Sequence, residues 1–420
     1  MQQFRIQGEA ALSGEIRVAG AKNHAIKMIP AAAVCDGPVE LTNVPEIADI
    51  DVMLEMFEAL GGSYEREGDR ILLHPENIDC NAIPQELSSK VRVAILFVGP
   101  LLAKCGEVTF GQPGGDQIGK RPTDLFQEGF EALGAVSEET PDGVKYTLGQ
   151  RPERVRYVLP WVSHTVTEAM ILAAVRGTVE TRIANAAMEP EVVALCDFLR
   201  SCGAQIEGDG TPNITIRGVE KLSGGTCRII SDRIELATFA CMGALSGKDL
   251  AITGGEPRYL ETFWRVLERM GVLFEIEDTT VRVNRATPVA TEIRTHEYPG
   301  LATDFQPPLT VLATQAEGLS MVHETIYEGR LFYTDLLNKM GARIIQCDPH
   351  RVLVNGPVEL YGRTLDTPDI RAGIALVLAA LRAQGESVIE NVHHIDRGYE
   401  KIEARLTAIG AEIVREECVA

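Results

Sequence analysis

Six glycines at matching places set the frame of this chain. Gly61, Gly134, Gly203, Gly271, Gly341 and Gly410 each stop a helix-like stretch ("EALGG", "EALGA", "RSCGA", "LERMGV", "NKMGA", "TAIGA"), and the intervals between them are 73, 69, 68, 70 and 69 residues. A fixed period of this length marks a repeated supersecondary unit that buries its apolar face against its neighbours.

The fourth copy reads most clearly. "PRYLETFWRVLERMG" places Leu260, Phe263, Trp264, Leu267 and Met270 at helical spacing, and Gly271 supplies the stop. The strand "DLAITG" precedes this helix, and "VLFEIED" and "TVRVN" follow as a hairpin. An earlier helix, "DRIELATFACMGALSG", opens the copy, and "TCRIIS" implies one more strand before it. The unit is therefore βαβαββ. Its opening helix recurs in "GAKNHAIKMIPAAAVCDG", "SSKVRVAILFVGPLLAKCG", "WVSHTVTEAMILAAVRG", "ATDFQPPLTVLATQAEG" and "PDIRAGIALVLAALRAQG". These helices are apolar nearly all round, which predicts burial rather than a place on the surface.

The last copy ends early, so residues 1 to about 21, with the strand-like "QFRIQG" and "GEIRVAG", are expected to complete it. Six units then divide three and three around residue 230. Residues 22–230 form one expected domain and residues 1–21 with 231–420 the other, with the ligand site in the cleft between them.

The formal net charge of −20 speaks against nucleic acid or a membrane surface as partner, since both reward a basic face. Nine cysteines without a C-x-x-C pair read as free thiols in a reducing compartment. The N-terminus carries no signal-like pattern, and no apolar run reaches the roughly 18 residues of a membrane span. A cytoplasmic protein is expected.

Against this acidic background, cations gather ahead of helices: Lys22, Arg92, Arg121, Arg330, Arg371 and Arg397 recur at topologically related places. An Asp there is ordinarily an N-cap, the reading favoured for Asp49, Asp232 and Asp369 taken singly. A cation opposes the helix dipole and needs another reason, so six of them point to a shared anionic ligand. The eight histidines are scattered without a metal-ligand spacing, and no metal is expected. "GQPGGDQIGKRPTDLF" contains Gly114-x-x-x-x-Gly119-Lys120 but has Arg121 where a P-loop needs Ser or Thr. With Pro122 opening the next helix, it reads as an anion loop in one of six equivalent connections.

At this point the residues resemble a known family. G-A-K-N at 20–23, P-G-G-x-x-I-G-x-R-P at 113–122, E-P-E at 189–191, D-R-I-E at 232–235, T-D at 303–304 and H-I-D-R-G-Y-E at 394–400 are similar to the UDP-N-acetylglucosamine 1-carboxyvinyltransferases. A more distant similarity is to 5-enolpyruvylshikimate-3-phosphate synthase. The resemblance spans essentially the whole chain. It implies a two-domain inside-out α/β barrel built of six βαβαββ repeats, without cofactor, and a monomer or weak homo-oligomer. It also implies transfer of the enolpyruvyl group of phosphoenolpyruvate to the 3′-hydroxyl of UDP-N-acetylglucosamine with release of phosphate. The alternative is another nucleotide acceptor such as UMP.

Carried over by motif, Lys22, Arg121, Arg330, Arg371 and Arg397 would hold phosphoenolpyruvate. Asn23, Arg92, Arg121, Asp124, Leu125, Val162, Ser163, Asp304 and Ile326 would hold the nucleotide sugar. Asp304 is the candidate base and Asp116 the candidate acid, with Lys22 and Arg397 at the reacting centre and Glu189, Asp232 and Asp369 in support. Three positions depart from the family pattern: Asp116 stands at the usual cysteine, Trp161 at the usual lysine before Val162-Ser163, and Phe126 at the usual histidine after Asp124-Leu125.

Asp116 poses a physical difficulty. A free carboxyl titrates near 3.9, against about 8.5 for a thiol, and Lys120, Arg121 and a helix N-terminus would lower it further. Proton donation then requires closure over the substrate's negative charge. Asp116→Asn is expected to lower turnover on the order of 10²–10⁴-fold, the usual worth of a general acid. Fosfomycin, which alkylates the family's cysteine, is expected not to inactivate the protein. Full turnover of the variant, or a mass adduct on this loop, contradicts this assignment.

Overall fold

The computed structural model describes residues 2–79, 82–111, 114 and 123–417. Its strands form six four-stranded sheets with one recurring order. In one of them Glu292–Arg294 pairs in parallel with Gly318–His323. That strand pairs antiparallel with Arg351–Gly356, whose other edge carries Ile344–Asp348. The βαβαββ repeat is thus observed six times, each with its own sheet, and among the described residues no sheet closes into a barrel.

The chain divides into two compact units, residues 20–115 with 121–230 on one side and residues 1–19 with 231–420 on the other. Each has its own apolar core. The strand assignments depart from the sequence reading in one respect. Gln2–Gln7 does complete the sixth repeat, lying between Glu386–Glu390 and Ile413–Glu417. Leu12–Arg17 instead pairs in parallel with Gly247–Thr253 and serves as first strand of the fourth repeat. Gly225–Arg228, overlapping the start of the "TCRIIS" segment expected to open the fourth repeat, pairs with Val39–Thr42 in the first. Each unit therefore takes an opening strand from one of the two segments that flank the passage between units. Both strands satisfy the same parallel ladder, so local pattern does not tell them apart.

The helices expected to be buried are buried. Lys22–Val34, Val98–Cys105 and His164–Ala174 pack against one another in the residue 20–230 unit. Arg233–Ser246, Gln306–Ala313 and Ile370–Arg382 do so in the other. The second helices of the repeats end as the glycine pattern requires: Gly61, Gly134, Gly203, Gly271, Gly341 and Gly410 all have positive φ, between 73° and 109°. A Cβ is disfavoured in that conformation, which is why glycine recurs there.

One buried contact between central helices is ionic. Lys27, 1 % exposed, bonds Glu168 at 2.6 Å, and its ammonium also lies 3.2 Å from His164 Nδ1. The pair ties the helix that begins at Lys22 to the helix capped by Ser163. Removing one member strands the other charge in the core, which typically costs about 3–5 kcal/mol. Glu168→Ala is expected to lower stability by about that much in calorimetric unfolding, and Lys27→Met with Glu168→Leu together by much less. Equal losses in the single and double variants contradict a pair that acts as a unit.

Candidate active site

In the larger segment of the second unit, residues 231–420, the helix starts carry the charge. Asp232 caps Arg233–Ser246, accepting from the amides of Ile234 (2.8 Å) and Glu235 (3.0 Å). Asp369 caps Ile370–Arg382 in the same way, through Arg371 (2.8 Å) and Ala372 (3.0 Å). Both aspartates are the N-caps their positions predict. Arg371, in the first turn of the capped helix, therefore has a fixed backbone.

Asp304 sits on the short 3-10 turn Thr303–Phe305 that leads into Gln306–Ala313. Its carboxylate is held from both sides, by Arg330 Nη2 at 2.5 Å and Arg371 Nη2 at 3.1 Å. Both arginines are buried. Arg371 also donates to Tyr399 Oη at 3.2 Å, and that hydroxyl meets Thr238 Oγ1 at 2.9 Å on the helix Arg233–Ser246. Arg233 lies over the rings of Tyr298 and Phe305, 5.5 and 5.7 Å from their centroids.

Burial alone would raise the Asp304 carboxyl, but Arg371, Arg330 and Arg233 overcome it and hold it well below the usual carboxylate range. Burial works against the charge on Arg371, yet Asp304 and Tyr399 keep its guanidinium above its ordinary value. Tyr399 is pushed up to about 12 by burial, with Arg371 pulling the other way. The cluster of Asp304 with two buried arginines carries a net positive charge and is poorly solvated, which suits it to an anion that can share the guanidinium donors. Ile326 and Arg330 lie on the loop after Gly318–His323. Arg397 follows the single-turn helix His393–Asp396 and is half-buried.

In the residue 20–230 unit, Lys22 opens its helix without a side-chain cap and is buried, with Asp49 Oδ2 at 2.6 Å from its ammonium. Asp49 is therefore an ion-pair partner and not the N-cap expected for it; Ile47 occupies that place. Asn23 is half-buried on the same turn, and Arg92 opens the 3-10 helix Arg92–Phe97. Ser163 caps His164–Ala174 through the amide of Val166 at 3.4 Å, with half-buried Val162 before it. Asp124 opens Asp124–Ala132 in solvent, while Leu125 is buried and its carbonyl accepts from Tyr157 Oη at 2.7 Å. Glu189 stands at the N-cap of Pro190–Ser201. Of the departures, Trp161 is 53 % exposed and Phe126 is buried in the core. Asp116, Lys120 and Arg121 lie outside the described residues.

The structure thus brings Asp304, Arg330 and Arg371 into contact within one unit, and pairs Lys22 with Asp49 in the other. Sequence reasoning missed Asp49 as a partner, Tyr399 as a support for Arg371, and Glu324, a wholly buried carboxylate beside the Asp304 turn. Tyr399 falls in a motif that carried the resemblance; Glu324 gave no signal beyond an acidic residue at a strand end. Among the described residues no three His, Cys, Asp or Glu side chains cluster so as to hold a metal, and no helix is long and apolar enough to cross a membrane.

Six βαβαββ repeats with buried cations near helix starts are the arrangement of an enolpyruvyl transferase, a class that the comparisons establish. Residues 6–406 match the model of the EPSP synthase (3-phosphoshikimate 1-carboxyvinyltransferase) family, and the chain belongs to it. A relative from Treponema denticola, named UDP-N-acetylglucosamine 1-carboxyvinyltransferase, is 40 % identical over 99 % of this chain and 100 % of its own. One of the same name from Solibacter usitatus is 41 % identical, with the same coverage. Among solved structures, the enolpyruvyl transferase NikO from Streptomyces tendae superposes with a TM-score of 0.90 at 25 % identity, covering 99 % of this chain and 98 % of that one.

Next to Asn23, His24 is fully buried and its Nδ1 accepts from the amide of Ile230 at 3.2 Å. Burial lowers it to about 4, helped by Lys27 and opposed by Glu191. The folded protein then refuses a proton that the unfolded chain takes up near 6.5. Stability is full above that pH and falls as pH drops from about 6.5 towards 4, by about 3 kcal/mol in all. His24→Gln is expected to flatten the unfolding free energy over this window. An unchanged slope in the variant rules out His24 as its source.

Proposed function

We propose that the protein transfers the enolpyruvyl group of phosphoenolpyruvate to the 3′-hydroxyl of UDP-N-acetylglucosamine, the first committed step of peptidoglycan precursor synthesis, in the cytoplasm. The relatives at about 40 % identity carry that name and align end to end. The observation that carries the reading is the Asp304 carboxylate held between Arg330 and Arg371. In this reading the chain forms two three-repeat domains, residues 22–230 and residues 1–21 with 231–420, and acts as a monomer or weak homo-oligomer without cofactor.

In this reading Lys22, Arg121, Arg330, Arg371 and Arg397 take the phosphate and carboxylate of phosphoenolpyruvate. Asn23, Arg92, Asp124, Leu125, Val162, Ser163 and Ile326 line the nucleotide-sugar path. Asp304 removes the proton of the 3′-hydroxyl as its oxygen bonds to the central carbon of phosphoenolpyruvate. Asp116 delivers a proton to the methylene carbon, giving a tetrahedral phospho-ketal. Loss of a proton from the new methyl group and cleavage of the carbon–oxygen bond to phosphate then yield the enol ether and inorganic phosphate.

The geometry accounts for a timing problem in this scheme. A carboxylate held by two arginines is a weak base. When the phosphate or carboxylate of phosphoenolpyruvate shares those guanidinium groups, their hold on Asp304 weakens and a new negative charge stands nearby. Both effects raise its affinity for a proton. The base is then strengthened by the arrival of the substrate that needs it.

Phosphate release in the presence of phosphoenolpyruvate separates the possible acceptors. UDP-N-acetylglucosamine is expected to support turnover, with UMP and shikimate 3-phosphate at background. Turnover with UMP instead overturns the choice of acceptor, and no phosphate release with any of the three overturns the activity.

A further inference from the structure

Glu324 follows the strand Gly318–His323 and is 0 % exposed. Its carboxylate accepts from Thr303 Oγ1 (2.7 Å), Thr295 Oγ1 (3.2 Å), and the amides of Ile326 (2.8 Å) and Tyr327 (3.2 Å). Every one of these donors is neutral. Among the described residues no cation bonds Glu324, although it lies close enough to Arg330 to favour the charge on that guanidinium. A buried carboxylate without an ion pair is expensive to keep, and a neutral side chain would fill the same space at lower cost. Its partners suggest why it is there. Thr303 immediately precedes Asp304, and Tyr327 begins the turn whose carbonyl accepts from the amide of Arg330 at 3.2 Å. One carboxylate thus fastens the turn that carries Asp304 to the loop that carries Ile326 and Arg330.

We propose that Glu324 is a positioning residue. It sets the separation of Asp304 and Arg330, and it holds the 325–330 loop in register with the Asp304 turn before any substrate binds. The substrates concerned are those of the proposed function, on which this part of the inference rests. Because Oε1 takes both loop amides and Oε2 takes Thr303, removing the side chain frees both segments at once. A misplacement of about 1 Å at a reacting group typically costs on the order of 10²-fold in rate.

The test uses Glu324→Ala, Glu324→Gln and Thr303→Val in the full-length protein, with Leu378→Ala as a control that weakens the same core away from this contact. Glu324→Ala is expected to lower kcat/KM for phosphoenolpyruvate by roughly 10²-fold. Glu324→Gln should recover part of that loss, since its amide oxygen still accepts from Ile326 and Tyr327. Thr303→Val added to Glu324→Ala should cost little more, because the contact is already gone. Leu378→Ala should lose stability without losing kcat/KM per folded molecule. Independently of turnover, amide exchange in unliganded Glu324→Ala should quicken in both 303–305 and 325–330. Wild-type kcat/KM in Glu324→Ala, or additive losses with Thr303→Val, overturns the proposal, as does unchanged exchange in either segment. If the wild-type protein releases no phosphate from these substrates, the proposed function fails and the exchange measurement alone decides the role of Glu324.

Discussion

A helix buried on every side can offer a ligand only its ends, and that constraint organises this protein. The opening helices of the repeats are wrapped by apolar neighbours in each unit, so no functional side chain can stand along their middles without being sealed in. Lys27 shows what happens when one does: it is neutralised on the spot by Glu168. Polar chemistry is left to the first turns, where unpaired amides already favour anions. Lys22, Arg371 and the Asp304 turn all occupy that position.

Placing cations at helix starts opposes the helix dipole, and the structure shows two ways of relieving this. Lys22 is paired with Asp49, and Arg330 and Arg371 share Asp304. Each carboxylate holds its cations in place through a direct ion pair. A phosphate or carboxylate offers the same guanidinium and ammonium groups more acceptor oxygens than one aspartate can. An acidic protein can therefore still present a local cluster suited to anions: the net charge of −20 is a sum over the whole chain, while the cluster is set by a few buried groups over a few ångströms.

The repeat, the buried helices and the terminating glycines were legible because each follows from a local rule of spacing or backbone geometry. The first-strand exchange between Leu12–Arg17 and Gly225–Arg228 was not, because either segment satisfies the same parallel ladder and only long-range packing chooses between them. Asp232 and Asp369 were legible as caps, but Asp49 was not legible as the partner of Lys22, since an aspartate in a first turn looks the same in both roles. Arg330 and Arg371 stood out as cations ahead of helices. Their convergence on Asp304 joins residues 26 and 67 positions apart and has no periodicity to reveal it. Glu324 lies one step further from view, since it acts through the residues beside the functional ones.

In the proposed function Asp304 and the anionic substrate compete for Arg330 and Arg371. This competition is tested most directly by the affinity of Asp304→Asn for phosphoenolpyruvate, measured by calorimetry without the nucleotide sugar. Removing the competing charge should tighten binding several-fold while turnover collapses. Unchanged or weaker binding by a folded Asp304→Asn protein would contradict the account.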